Sequence, residues 1–265
     1  RPGFHNSGMT IIPLPAFRDN YIWLMHDGRH ALVVDPGDAQ PVIDHLEREQ
    51  LQLAAILITH HHADHVGGLR SLLAHAPVPV FGPAHEDIDG VDHRLVEGDR
   101  VHIAPMNLDF DVLDIPAHTA GHIAFVTPDG AARVLFCGDT LFSAGCGRLF
   151  EGSPSQLASS LAKLAALPDD TQVYCTHEYT LSNLAFAHAA EPHNPARDAY
   201  AAHCKALRAA NQPTLPSTIG LEKAINPFLR SEQPGIHDAI AAHHGTRPAN
   251  ALECLTALRA WKDNF

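Results

Sequence analysis

Four short apolar runs in this chain each hand over directly to a histidine or an aspartate. Residues 56–59 lead into His60, 112–117 into His118, 134–138 into Asp139 and 173–176 into His177. Apolar runs of this length, bounded by turn signals, read as buried strands. A hydrophobic strand interior disfavours an imidazole or a carboxylate unless it is paired or bound to metal, so these four residues belong in turns at one edge of the sheets. The fold is thereby constrained to gather four strand ends.

The densest cluster is Thr59-His60-His61-His62-Ala63-Asp64-His65. In an extended segment, residues two apart point the same way, so His60 and His62 can grip one ion while His61 faces elsewhere. The chain then turns at Ala63 and offers Asp64 and His65 to a second ion, with Gly67-Gly68 permitting a tight start to the next helix. His118 and His177 are the natural third ligands. Asp139 can bridge both ions, leaving an open position for water on each. A lone H-x-H pair is more often a surface coincidence, but three further ligands at strand ends make the pattern specific. His61 is read as supporting the ligands, and His122 as orienting the His118 loop by hydrogen bonding. His75, His85, His93, His193, His243 and His244 follow no spacing logic and are expected on the surface.

From residue 11 to about 175, strands are expected over 21–25, 31–34, 54–59, 78–81, 108–113, 123–126, 134–137 and 172–175. Helical patterns lie at 41–49, after Asp64, and at 154–167, the last with Ser153 as N-cap and Pro154 in the first helical position. After His177 the β signal fades. Ala-rich stretches at 182–190, 196–210 and 249–262, broken by Pro192, Pro195, Pro213, Pro216 and Pro248, predict a smaller helical domain. The predicted domains are therefore 9–175 and 176–265, with residues 1–8 read as a cloning remnant.

Composition narrows the function. The chain holds 21 His against 18 Lys and Arg together, and its net charge of −12 disfavours a nucleic-acid partner. Its apolar runs fall far short of the roughly 18 residues of a membrane span. Cys137, Cys146, Cys175, Cys204 and Cys254 contain no C-x-x-C pair, which points to a reducing compartment, the cytoplasm, with Cys137 and Cys175 as inert core thiols. There is no G-x-S-x-G elbow, phosphate loop or dinucleotide fingerprint. Glu86-Asp87-Ile88-Asp89-Gly90 does not continue as a calcium loop and reads as solvated.

With the ligand pattern in place, longer stretches become recognisable. They are Asp19-Asn20-Tyr21-Ile22-Trp23, Cys137-Gly138-Asp139-Thr140-Leu141-Phe142 continuing through Gly145-Cys146-Gly147-Arg148-Leu149-Phe150-Glu151-Gly152, Thr176-His177-Glu178-Tyr179-Thr180 with Asn183, Asn226-Pro227-Phe228-Leu229-Arg230, and the tail from Arg259. Over residues 9–265 the sequence resembles the metallo-β-lactamase superfamily and, within it, the hydroxyacylglutathione hydrolases, or glyoxalase II.

The resemblance implies an α/β fold, a four-layer αβ/βα sandwich followed by a smaller α-helical domain. It implies a first ion on His60, His62 and His118, a second on Asp64, His65 and His177, and Asp139 as the bridge. Two divalent ions are expected, zinc first, with iron or manganese also compatible. Asp64 and Asp139 would serve catalysis with a metal-bridging hydroxide, and Arg148, Tyr179, Asn183, Arg259 and Lys262 would contact glutathione. The implied reaction is hydrolysis of S-D-lactoylglutathione and related thioesters by a cytoplasmic monomer in methylglyoxal detoxification. A thioester suits the site because a thiolate, with a conjugate pKa of about 8.5, leaves without a strong general acid.

Two positions depart from the family pattern. Ala117 stands where the loop before the third ligand usually has glycine, which matters if that backbone needs positive φ. Arg148 and Phe150 replace the Lys and Tyr of some relatives. The alternatives weighed are a persulfide dioxygenase with one iron, a two-metal phosphodiesterase or nuclease, which lacks a basic groove here, and a metal-binding module without catalysis.

Overall fold

A computed structural model describes residues 3–4, 8–130 and 133–265. The chain divides into two compact units, one of Arg1–Asp114 with Thr119–Gly138 and one of Ile115–His118 with Asp139–Phe265.

In the first unit, strands β1 (Gly3–Phe4), β2 (Thr10–Ala16), β3 (Asn20–His26), β4 (His30–Val34), β5 (Gln52–Leu57), β6 (Val80–Pro83) and β7 (His93–Leu95) form one sheet in sequence order. Strands β1 to β4 pair antiparallel and β4 to β7 parallel. Parallel pairing needs crossovers. Helix α1 (Ala39–Glu49) supplies one, and α2 (Ala63–Val66) with α3 (Leu69–His75) the next. Val42, Leu46, Leu69 and Leu72 bury the helical faces against Leu24, Val33, Ile56 and Val80. A second, antiparallel set runs through β8 (Arg100–Ile103), β9 (Leu108–Asp114), β10 (Ile123–Val126) and β11 (Val134–Gly138). Leu108, Phe110 and Val112 alternate inward along β9, and the Phe110 ring meets those of Phe125 and Phe136 at 6.4 and 6.0 Å.

Strand β2 escaped the sequence reading because Pro13 and Pro15 interrupt it. Among the described residues the pairing with β1 involves Thr10 and Ile11, and both prolines lie beyond these on β2.

The second unit contains the hairpin β12 (Leu141–Phe142) and β13 (Gly145–Cys146), α4 (Pro154–Ala165), and β14 (Gln172–Cys175) paired with β15 (Ser217–Thr218). Helices α5 (Thr180–Ala190), α6 (Pro195–Ala209), α7 (Ile219–Ile225), α8 (Pro234–His244) and α9 (Ala251–Asp263) complete it. Residues 139–175, grouped with the N-terminal domain on their strand pattern, thus pack within this unit. Helix α4 opens with the expected Ser153 cap, reciprocated by Gln156 in a capping box. Helices α7 and α8 were not foreseen, because the prolines around them read as breakers. Pro195 and Pro234 instead begin helices, where a missing N–H is harmless. No helix among the described residues is long and apolar enough to cross a membrane.

A buried carboxylate organises this unit. Glu222, fully buried, accepts from the Ala144 N–H at 2.7 Å, the Ser143 hydroxyl at 2.9 Å, the Asn226 amide at 3.1 Å and the Ser217 hydroxyl. Burial pushes its carboxyl up, and these four donors oppose that shift. Asn226 also donates to the Phe142 and Gly145 carbonyls, and Asn183 to the Ser143 carbonyl. The hairpin that follows Asp139 is therefore gripped from α5 and α7. This gives the Asn226 motif a structural reason.

Ala117 has φ 151 and is fully buried. Gly152 packs on it so closely that a Cβ there would meet Ala117 Cα at 2.4 Å. The positive φ foreseen for this position is present, in a region where a side chain costs about 1–3 kcal/mol. Added glycine entropy in the unfolded chain takes back about 0.5–1 kcal/mol. Ala117→Gly should therefore raise stability by about 1 kcal/mol, read as a higher urea midpoint at unchanged m; a lower midpoint would contradict the strain.

Candidate metal centre

The first unit builds its ligands at the carboxyl ends of its parallel strands. Past β5, the Ile58 N–H continues the ladder to the Phe81 carbonyl, and Thr59 then leaves the sheet. Asp35, just beyond β4 at φ 53, accepts the Thr59 N–H at 2.8 Å, the Thr59 hydroxyl at 2.6 Å and His65 Nδ1 at 2.8 Å. His60 Nδ1 lies 2.9 Å from the Thr59 hydroxyl. With the Thr59 proton committed to Asp35, that oxygen can only accept, so His60 and His65 both carry their proton on Nδ1. Each then presents an Nε2 lone pair, the form a metal requires.

His60 and His65 are fully buried, with ring centroids 4.0 Å apart. His62 is extended at φ −60, ψ 145 and caps α2, whose first turn carries Asp64 and His65, as the alternation-then-turn reading required. Asn20 donates to Asp64 Oδ2 at 3.1 Å and to its carbonyl at 3.3 Å. Gly37, Gly67 and Gly68 let the loop after Asp35 touch this helix: a Cβ on Gly37 would lie 1.8 Å from the Asp64 carbonyl oxygen. The glycines serve close approach, since Gly67 and Gly68 have negative φ.

In the second unit, His118 Nε2 and His177 Nε2 lie 3.4 and 3.2 Å from Asp139 Oδ2. All three residues are buried. His118 Nδ1 bonds to the Arg148 carbonyl at 2.9 Å, again leaving Nε2 as the lone-pair nitrogen. At His118 this lone pair and the Asp139 oxygen repel one another unless a cation is shared, whereas His177 Nε2 is also within hydrogen-bond reach of the same oxygen. Ligand atoms on a tetrahedral ion with bonds of about 2.0–2.2 Å lie about 3.3–3.6 Å apart. The 3.4 Å from His118 to Asp139 and the 3.3 Å between His65 Nε2 and Asp64 Oδ2 match that spacing, and the 3.2 Å from His177 lies just below it. The donor set therefore fits a divalent metal.

Near these residues lies a basic group in the second unit. Lys262 is half-buried on α9; burial, with Arg259 and Arg148 nearby, pulls its ammonium pKa down. Arg148 is exposed and reaches Asp263 at 3.9 Å. Arg259 was expected to project beside Lys262, but it is 5% exposed. Its guanidinium bonds to the Cys146 carbonyl at 2.6 Å and to Asp263 at 3.0 Å, and it covers the Phe228 ring. Tyr179 stacks on His177 at 4.7 Å and 2°. Asn183 is buried with its amide on the hairpin, and Phe150 is exposed, edge-on to His118 at 5.3 Å.

One further expectation needs adjustment. Glu86 is not part of a solvated loop: it is buried and accepts the His61 N–H at 2.7 Å and the Gly121 N–H at 2.8 Å. His122, read as orienting the His118 loop, stacks on His60 at 4.4 Å and 16° and lies 3.0 Å from the Ile123 carbonyl. Asp35 was not singled out, and Asn20 only as part of the Asp19–Trp23 stretch. A signal for Asp35 was present, since β4 ends on it as the other runs end on ligands. The six histidines expected at the surface are all exposed, and all five cysteines are buried and free.

Comparison with known proteins agrees with this chemistry. The metallo-beta-lactamase superfamily model matches residues 16–177 and the hydroxyacylglutathione hydrolase C-terminus model residues 178–265. A hydroxyacylglutathione hydrolase of Cupriavidus taiwanensis is 55% identical over 265 residues, covering 97% of this chain and 99% of that protein. The crystal structure of ETHE1 from Myxococcus xanthus matches with a TM-score of 0.62 at 25% identity, covering 99% of this chain and 98% of that one. A further crystal structure, of a protein in a di-iron-bound form, gives 0.58 at 27% identity and covers 82% and 100%. The mixed sheets and helical C-terminal region are those of the metallo-β-lactamase fold, and the chain belongs to the hydroxyacylglutathione hydrolase family of that superfamily.

Proposed function

We propose that this chain hydrolyses S-D-lactoylglutathione and related S-2-hydroxyacylglutathiones to glutathione and the free hydroxy acid, using two divalent ions. The observation that carries this reading is near-full-length identity with hydroxyacylglutathione hydrolases, supported by the Nε2-presenting ligand sets. His60, His62 and His118 would hold one ion, Asp64, His65 and His177 the other, and Asp139 both. Zinc is the proposed metal; the di-iron relative keeps iron as the competing choice. The bound ions would lower the pKa of water from about 15.7 to about 7 and polarise the thioester carbonyl.

The protein's own groups do the rest. Asp35 and Thr59 hold His60 and His65 in the ligating tautomer, so no imidazole proton competes for the site. Asp64, steadied by Asn20, orients the attacking water, and Asp139 supplies charge shared between the ligand sets. The glutathione thiolate leaves without a proton donor, which agrees with the absence of a dedicated acid among the residues assigned here. Lys262 and Arg148 take a glutathione carboxylate, and Tyr179 lies along the tripeptide. Arg259 and Asn183 serve this end by fixing the hairpin and the backbone that carries Arg148. In this reading residues 9–175, with His177 just beyond them, carry the chemistry and the rest of 176–265 the substrate, and the enzyme works as a cytoplasmic monomer.

Following thiol release and oxygen uptake together with S-D-lactoylglutathione tests the reaction. Thiol release without oxygen consumption, abolished by chelator, is expected. Oxygen uptake with glutathione persulfide and no thioester cleavage would replace hydrolysis by oxidation. Lys262→Ala should lower kcat/KM by about 1.5–3 kcal/mol, chiefly through KM, the scale of a hydrogen bond to a charged group. An unchanged KM would remove Lys262 from the binding site. Asp139→Asn should lower metal content and activity together, and full occupancy in that variant would count against bridging.

A further inference from the structure

Three neighbouring parallel strands of the first unit, β4, β5 and β6, each end in a polar residue of the ligand region. Beyond β4 comes Asp35 and beyond β5 comes His60, while the turn after β6 carries Glu86. Glu86 ligates nothing in the proposed centre, yet it is 6% exposed, and an uncompensated buried carboxylate is costly. Its two oxygens are divided between two segments. Oε1 takes the N–H of His61, between His60 and His62, and Oε2 takes the N–H of Gly121, in the loop joining His118 to His122. Arg94 fastens the turn from behind by donating to the Ala84 and Glu86 carbonyls at 2.7 and 3.3 Å. Gly121 is matched to this arrangement: a Cβ there would lie 2.6 Å from Glu86 Cγ and 3.0 Å from the His85 carbonyl carbon.

We infer that Glu86 is a positioning residue for metal binding, a splint that fixes the His60–His62 segment and the 119–122 loop in one relative placement before metal arrives. The inference rests on the metal-centre reading above. Without the splint, the His61 peptide can rotate, and rotation there turns both flanking imidazoles, because residues two apart share one face only while the segment stays extended. Ordering the ligands then falls to the metal and weakens its binding. Supporting partners of this kind alter metal affinity by about 10–100-fold.

Zinc affinity, measured by chelator competition on the full chain at a temperature where circular dichroism shows every protein folded, tests this directly. Glu86→Ala should raise the zinc dissociation constant about tenfold or more. Glu86→Gln, which keeps one acceptor, should fall between it and the wild type. Gly121→Ala, which displaces the carboxylate without removing it, should act in the same direction, and KM for the thioester in zinc-saturated enzyme should not change. A purely structural Glu86 would lower the melting temperature and leave zinc affinity unmoved, and that result would overturn the inference. A wild-type chain that binds no zinc would overturn the metal-centre reading instead.

Discussion

The histidine cluster of the first unit depends on one buried carboxylate, Asp35. Asp35 receives the Thr59 N–H, the Thr59 hydroxyl and His65 Nδ1, and so ties the exits of two adjacent strands to the first turn of the following helix. Each bond satisfies a group that would be expensive to bury alone. Together they determine which nitrogen of His60 and of His65 carries the proton. Had Asp35 been an apolar residue, both imidazoles would be free to present N–H to the centre, and a donor there excludes a cation.

The second unit solves a different problem. The proposed function would need Asp139 and the backbone around Arg148 at fixed positions, and both lie next to a hairpin of only two residues per strand. So short a hairpin has little stability of its own. Glu222, Asn226 and Asn183 hold it with side chains, and Arg259 bonds the Cys146 and Gly147 carbonyls as the chain leaves. On the proposed function, a chain of net charge −12 would also have to recruit an anionic tripeptide. Asp263 lies 3.0 Å from the buried Arg259 guanidinium and 3.9 Å from that of Arg148, which stays exposed, while Lys262 beside them is half-buried.

Much of this was legible in the residues. The strands that end in ligands emerged as strands because apolar runs bounded by turns have few other uses, and the His60–His65 cluster followed from alternation and a turn. The two family models meet between residues 177 and 178, close to the boundary read at 175, whereas packing groups residues 139–175 with the C-terminal helices, which a strand pattern does not show. Helix α8 was hidden because it begins at Pro234, and the short α7 because it lies between Pro216 and Pro227. Glu86 and Arg259 were misjudged for a shared reason. A charged residue in an acidic loop or on a helix face is ordinarily solvated, and only long-range contacts, 25 residues to His61 and 113 to Cys146, reveal that these two are buried.

The central claim is that one carboxylate joins two sets of imidazoles around two ions. Anomalous diffraction at the zinc edge, from crystals of the zinc-loaded protein, tests it most directly. The account predicts two peaks, one contacted by His60, His62 and His118, the other by Asp64, His65 and His177, with Asp139 touching both. A single peak, or an Asp139 carboxylate in contact with one ion alone, would contradict it.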